Sequence, residues 1–328
     1  MTRAARYFSI RAIFAALILL GAAGSSARAA KYAGEAFSLG AGARGMALGG
    51  AVVAGPFDGF APYWNPAGMA RVSGKHLSAM HAETFGSLLN HDVISYVSNR
   101  SDTQGRISAY GFYLYYLGGG GIKITQLNEF ERPYVVREES HGDYIVSGGI
   151  SGQLNASITY GLAAKVIYRD IGTETGIGLT LDLGALYSPR PWLDLGLTIA
   201  DASTGFIRYS GKTFDSGSNS ESIYPTVKPG IAFKRTYREF IGRLLWSGDI
   251  KFEDLEGAAQ YWAGPLSLDA HYGLEIGWRD MVFGRAGFDI GRFTAGAGVD
   301  ISKITIDVAY LHHADLDETF RVSAGYRF

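Results

Sequence analysis

The chain has 328 residues, 45 of them Gly and 20 Tyr, and a formal net charge of −1. That length can support a core without covalent staples, and the neutral balance lacks the basic stripe that nucleic-acid binding requires. Cys is absent, which excludes a disulfide framework, a lipid-anchored cysteine and a thiolate metal site.

In chain order, Arg3, Arg6 and Arg11 precede an apolar run from Ala12 to Leu20, and small residues lead to Ala27-Arg28-Ala29. This pattern predicts a secretory signal peptide over residues 1–29, cleaved after Ala29. The run is too short for a spanning helix, and no later stretch reaches the length that a helical span needs.

Residues 30–72 form the next unit. From Gly34 to Ala70 they are too rich in Gly and Ala for a conventional core and too apolar for a solvated linker. They end in Tyr63-Trp64-Asn65-Pro66-Ala67-Gly68, a turn-forming cluster beside two aromatic rings. A compact segment fitted inside something larger is the reading that follows. Gly40-Ala41-Gly42-Ala43-Arg44-Gly45 formally matches a dinucleotide fingerprint, but no buried strand precedes it in the mature chain. Close backbone packing explains the glycines better.

The GARGMALGGAVVA run followed by YWNPAGMA resembles the N-terminal motif of the PorV/PorQ family, within the outer-membrane barrels similar to the fatty-acid transporter FadL. The resemblance implies a hatch inside a barrel, carried here by Trp64, Asn65, Pro66, Ala67 and Gly68.

Residues 73–328 read as strands. Leu266, Leu268, Ala270, Tyr272, Leu274, Ile276 and Trp278 alternate with Ser267, Asp269, His271, Gly273, Glu275 and Gly277. The same two-residue period runs through 158–169, 177–187 and 320–328, and it places one set of side chains on each face of a sheet. Long alternating segments behind a signal peptide predict an all-β, antiparallel transmembrane barrel of about 14 strands. The predicted starts are Lys75, Asp92, Gly105, Asp143, Ser157, Gly176, Trp192, Val227, Gly242, Leu266, Met281, Arg292, Lys303 and Thr319. An even count puts both termini in the periplasm, with short turns there and long loops outside. Short connections are expected at Arg100–Gln104, Gly152–Asn155, Pro189–Pro191, Arg238–Glu239, Arg279–Asp280 and Ser302, and long ones at Gly118–Gly142, Asp201–Thr226 and Glu253–Pro265. A tight turn at Gly291 departs from the rule. The terminal Phe328, in phase with its strand, resembles the signal by which such barrels are handed to their assembly machinery.

The polar phase carries Lys165, Arg169, Asp182, Asp249, Glu275, Arg285, Asp307 and Arg321. Charges of both signs suit a polar lumen, and carboxylates on separate strands do not make a hydrolytic pair. His312 and His313 with Asp315, Asp317 and Glu318 read as a solvated outer turn rather than a cation site. No catalytic residue, metal or cofactor is predicted. The FadL resemblance implies passive passage of a hydrophobic or amphipathic small molecule, captured by Leu127, Phe130, Tyr134, Phe206 and Tyr209 in the long loops. The PorV resemblance implies the alternative, an adaptor of type IX secretion that binds the C-terminal domain of a secreted protein. Outer-membrane lipids surround the barrel on either reading.

Overall fold

The computed structural model describes residues 35–84, 86–100, 107–172, 174–203, 205–211, 219–252, 259–312 and 318–328. The predicted signal peptide, the strand start at Gly105, most of the turn Arg100–Gln104, and His313, Asp315 and Asp317 lie outside them.

Among the described residues, seventeen strands form one antiparallel sheet. In order they are β1 (Lys75–Thr84), β2 (Leu89–Asn99), β3 (Ala109–Leu127), β4 (Pro133–Asn155), β5 (Ile158–Asp170), β6 (Glu174–Arg190), β7 (Leu193–Ala200), β8 (Gly205–Gly211) and β9 (Asn219–Ile223). They continue as β10 (Thr226–Tyr237), β11 (Phe240–Lys251), β12 (Tyr261–Ala263), β13 (Leu266–Trp278), β14 (Val282–Asp289), β15 (Arg292–Ile301), β16 (Ile304–Leu311) and β17 (Thr319–Arg327). Strands β8, β9 and β12 are accessories, because β7 pairs directly with β10 and β11 directly with β13. The remaining 14 close into a barrel through β1 and β17, with Ala79 opposite Ala324. Closure leaves no free edge within the wall, which is what a sheet must achieve in lipid. No helix among the described residues is long and apolar enough to cross a membrane.

Alternation explains the two faces. On β5, Leu162 and Val166 are exposed on the outside while Lys165 and Ile167 are buried within. On β13, Tyr272, Leu274 and Ile276 face out, and Asp269, His271 and Glu275 face in. Aromatic rings border the outer apolar band. Tyr116, Tyr144 and Tyr168 are cross-strand neighbours, with ring centroids 4.9 and 5.9 Å apart, at the long-loop end. At the short-turn end Trp192 stacks on Phe233 at 6.2 Å, and Trp278 and Phe328 lie at strand ends. Such paired girdles mark the two interfaces of a bilayer.

The predicted starts at Lys75, Leu266, Arg292 and Thr319 coincide with the observed strands. The predicted loop Gly118–Gly142 does not. There β3 and β4 run on as a long hairpin, closed by a turn over residues 128–132. The glycine run that suggested a loop instead carries a bulge, with a register shift between Gly119 and Ile122 and φ +80° at Gly121. The turn expected at Gly152–Asn155 lies at residues 156–157, since Gly152 still pairs with Tyr160. Part of the Asp201–Thr226 connection is likewise structured, with β8 extending the barrel wall along β6.

Candidate functional site: the occupied lumen and its outer cavity

The described part of the N-terminal segment, residues 35–72, lies inside the barrel and touches lumen-facing side chains around its circumference. Its elements are short. Ala43–Ala47 forms a single helical turn, as does Ala61–Trp64, and Pro66–Arg71 follows as a 3-10 turn. Pro62 and Pro66 sit where a helix start has no use for the missing N–H. Asn65 is fully buried and extended (φ −157°, ψ 113°). Its side chain accepts from the Ala67 N–H at 3.0 Å and donates to the Val53 carbonyl at 2.9 Å, so it ties two stretches of the segment together. The wall makes room for this knot with glycine. A Cβ on Gly161 would collide with the Pro66 carbonyl carbon, and one on Gly184 with Asn65 Oδ1.

Wall hydroxyls satisfy backbone groups of the segment that the barrel encloses. Ser95 donates to the Gly59 carbonyl (2.6 Å), Thr294 to Ala47 (3.1 Å) and Thr198 to Trp64 (3.2 Å). Ser323 accepts from the Ala43 N–H at 3.2 Å. The strongest tie is ionic. Arg44 donates through Nε and Nη2, both at 3.0 Å, to the two oxygens of Glu275. Glu275 also receives Arg285 at 2.7 Å and Arg243, and Arg285 reaches Asp307 at 2.7 Å. A fully buried carboxylate thus holds three guanidinium groups, one of them from the segment.

Toward the long-loop end, a cavity of about 110 Å³ lies over the segment. Phe37, Tyr63 and Trp64 of the segment, Tyr113, Ile145 and Ile167 of the wall, Ile223 at the end of β9, and Tyr224 and Pro225 after it give it an aromatic and aliphatic lining. Its charges are paired. Lys165 bridges Asp182 (2.8 Å) and Asp201 (2.7 Å), and Lys228 meets Asp249 at 2.6 Å. Tyr63 donates to the Phe37 carbonyl at 2.8 Å, and Trp64 Nε1 donates to Ala41 at 2.8 Å. Burial raises the Tyr63 phenol above its ordinary range. Above Phe37, the Arg169 guanidinium lies 5.7 Å from the ring and binds Asp143 at 2.7 Å. Arg169 also donates to the Tyr209 hydroxyl (3.1 Å), which itself donates to Glu221 (2.9 Å). Burial pushes Tyr209 up to about 12, with Arg169 acting against it and Glu221 with it. Tyr209 therefore stays a donor at neutral pH and pins β9 to the wall.

The expected site residues separate into three groups. Trp64 lines the cavity, while Asn65, Pro66, Ala67 and Gly68 are packed beneath it against the wall. Leu127, Phe130 and Tyr134 stand at the tip of the β3–β4 hairpin, Phe130 with 79% of its surface exposed. Phe206 and Tyr209 alternate on β8, so Phe206 is exposed and Tyr209 is buried in the roof. None of the five loop residues lines the cavity. Sequence reasoning missed its actual walls, although a signal was present. Tyr113, Ile145 and Ile167 are apolar residues on the inward phase, where a water-filled lumen would carry polar ones.

No family model matches the chain, and no curated protein sequence matches it. Solved structures do. The CymD monoaromatic hydrocarbon channel superposes with a TM-score of 0.57 at 14% identity, over 88% of this chain and 98% of that one. The Pseudomonas putida toluene transporter TodX gives 0.52 at 12% identity, covering 88% and 97%. A Pseudomonas aeruginosa FadL homologue gives 0.51 at 13% identity, covering 87% and 97%. The fold is FadL-like. At these identities the FadL likeness describes architecture, and it extends over nearly all of each solved chain.

Proposed function

We propose that this chain is a passive channel of the bacterial outer membrane that admits a small hydrophobic or amphipathic molecule. The observation that carries the reading is the aromatic cavity resting directly on the segment that occupies the lumen. An engineered cavity of about 150 Å³ holds benzene, so the observed volume is on the scale of one small ring. The hatch is the stretch from Trp64 to Gly68. Its backbone is knotted by Asn65 and pressed on glycine, so passage requires the segment to shift. Leu127, Phe130 and Tyr134 supply apolar capture surface above the membrane, and Phe206 and Tyr209 flank the roof. Phe328 is the handle for the assembly machinery. FadL-like neighbours named as channels and transporters support this reading. The adaptor reading, in which the barrel receives the C-terminal domain of a secreted protein, rests on motif resemblance alone.

The test is native mass spectrometry of protein extracted gently from outer membranes. A co-purifying apolar small molecule is expected. A protein companion bearing a secretion tail, without such a molecule, would replace the channel reading with the adaptor.

A further inference from the structure

On the outer face of the wall, toward the long-loop end, β2, β3, β4 and β5 set three rows of side chains one above another. The lowest row is aliphatic. Ile94, Leu114, Val146 and Val166 are cross-strand neighbours, and all four are exposed. Two residues further along each strand, Tyr116 pairs with Tyr144 and Tyr144 with Tyr168, with Asp92 beside them on β2. The row above consists of Asn90, Gly118, Gly142 and Asp170, so its two middle positions carry no side chain.

The glycines turn this row into a cleft of about 560 Å³. Small-molecule sites span about 300–1,000 Å³. Tyr116 and Tyr144 lie back over the bare backbone, since a Cβ on Gly118 would collide with the Tyr116 hydroxyl and one on Gly142 would crowd the Tyr144 ring. Ser140 and His141 border the cleft at its outer end, where the bulge after Gly119 begins the projecting hairpin. Asp170 stands at its side, with Oδ1 accepting from the Gly172 N–H at 2.9 Å. The lining combines ring surface with an amide, a hydroxyl, an imidazole and a carboxylate, and among the described residues it includes no Lys or Arg. A phosphate would meet Asp170 there without a compensating cation. Uncharged hydroxyls, on a ring whose C–H edges rest against a tyrosine face, match both parts of the lining.

We propose that this cleft binds the sugar head of an outer-leaflet glycolipid, whose acyl chains run down the aliphatic row. Its position selects that occupant. A tyrosine row lies at the level where the headgroups of a bilayer begin, and long loops face outward when both termini lie in the periplasm. A ligand held here has one end in hydrocarbon along Leu114 and Val146 and the other among Asn90, Ser140 and Asp170. The site is on the lipid side of the wall, so it is separate from the lumen and independent of what the barrel admits.

Native mass spectrometry of the full mature chain in micelles of octaethylene glycol monododecyl ether, doped with an equal amount of dodecyl maltoside, tests this. Both amphiphiles are uncharged and share the dodecyl chain, so only the head differs. The maltoside should stay bound with an enrichment of about tenfold over the ether, the factor that one hydrogen bond or ring contact supplies. Tyr144→Leu should abolish the enrichment, and Asn90→Leu, at an exposed rim position, should reduce it. Tyr187→Leu, which removes an exposed tyrosine toward the short-turn end, should leave it unchanged. Retained heat-modifiable gel mobility shows that each variant is folded, and should Tyr144→Leu fail to fold, Asn90→Leu decides. No enrichment, or one that survives the cleft variants or falls equally with Tyr187→Leu, overturns the site. Displacement by free maltose would mark a site for soluble sugar, and equal retention of dodecyl phosphate a site for anions. Either result overturns the glycolipid assignment.

Discussion

Replacing Arg44 by Met should loosen the inner segment without opening the wall. Arg44 contributes two hydrogen bonds of 3.0 Å to Glu275, and its side chain is 16% exposed. Each hydrogen bond to a charged group is worth about 1.5–3 kcal/mol, and partial solvation of Arg44 trims the sum to about 3 kcal/mol. Glu275 keeps Arg243 and Arg285, so the truncation leaves no bare buried carboxylate, and the loss falls on how firmly the segment is seated. At ~1.4 kcal/mol per decade, amide exchange in the segment around Gly45–Val52 should quicken roughly a hundredfold. Amides of β13 and β14 should keep their protection. Hydrogen exchange with mass readout on the micelle-embedded protein measures both. Unchanged exchange in the segment, or an equal rise across the wall, would refute the assignment of Arg44 as its anchor.

Gly161→Leu drives a side chain into Pro66 and should displace the segment from a barrel that still closes; planar-bilayer conductance should rise, and a current like that of the parent contradicts it. Lys165→Met strands Asp182 and Asp201, both poorly exposed, at a cost of about 3–5 kcal/mol. The temperature of the heat-modifiable gel shift should fall, and an unmoved transition speaks against this role. Deleting Phe328, which is exposed and whose N–H bonds the Lys75 carbonyl at 3.0 Å, should reduce the folded barrel recovered in outer membranes. Unchanged recovery removes the proposed handle.

Much of the wall was legible because its cause is local. A period of two on β5 and β13 separates Leu162 from Lys165 and Leu274 from Glu275 whatever the neighbours do. The β3–β4 hairpin was not legible, because its glycine run reads as a loop and works as a bulge. The segment's fit was legible in kind, since small residues permit close approach, but its partners were not. Gly161 meets Pro66, and Glu275 meets Arg44, across long stretches of chain that only the closed barrel brings together. The cavity shares that difficulty, drawing Phe37, Tyr113 and Ile223 from separate elements.

Uptake is the most direct test of the account. A host without channels of this class, expressing the full chain or an empty control, is given a radiolabelled panel of small aromatic hydrocarbons and aromatic acids at limiting concentration. The account predicts faster initial uptake of at least one member in cells with the barrel, lost when a bulky residue replaces a cavity wall, as in Ile145→Trp. Identical rates with and without the barrel across the panel, with the protein folded in the outer membrane, would contradict it.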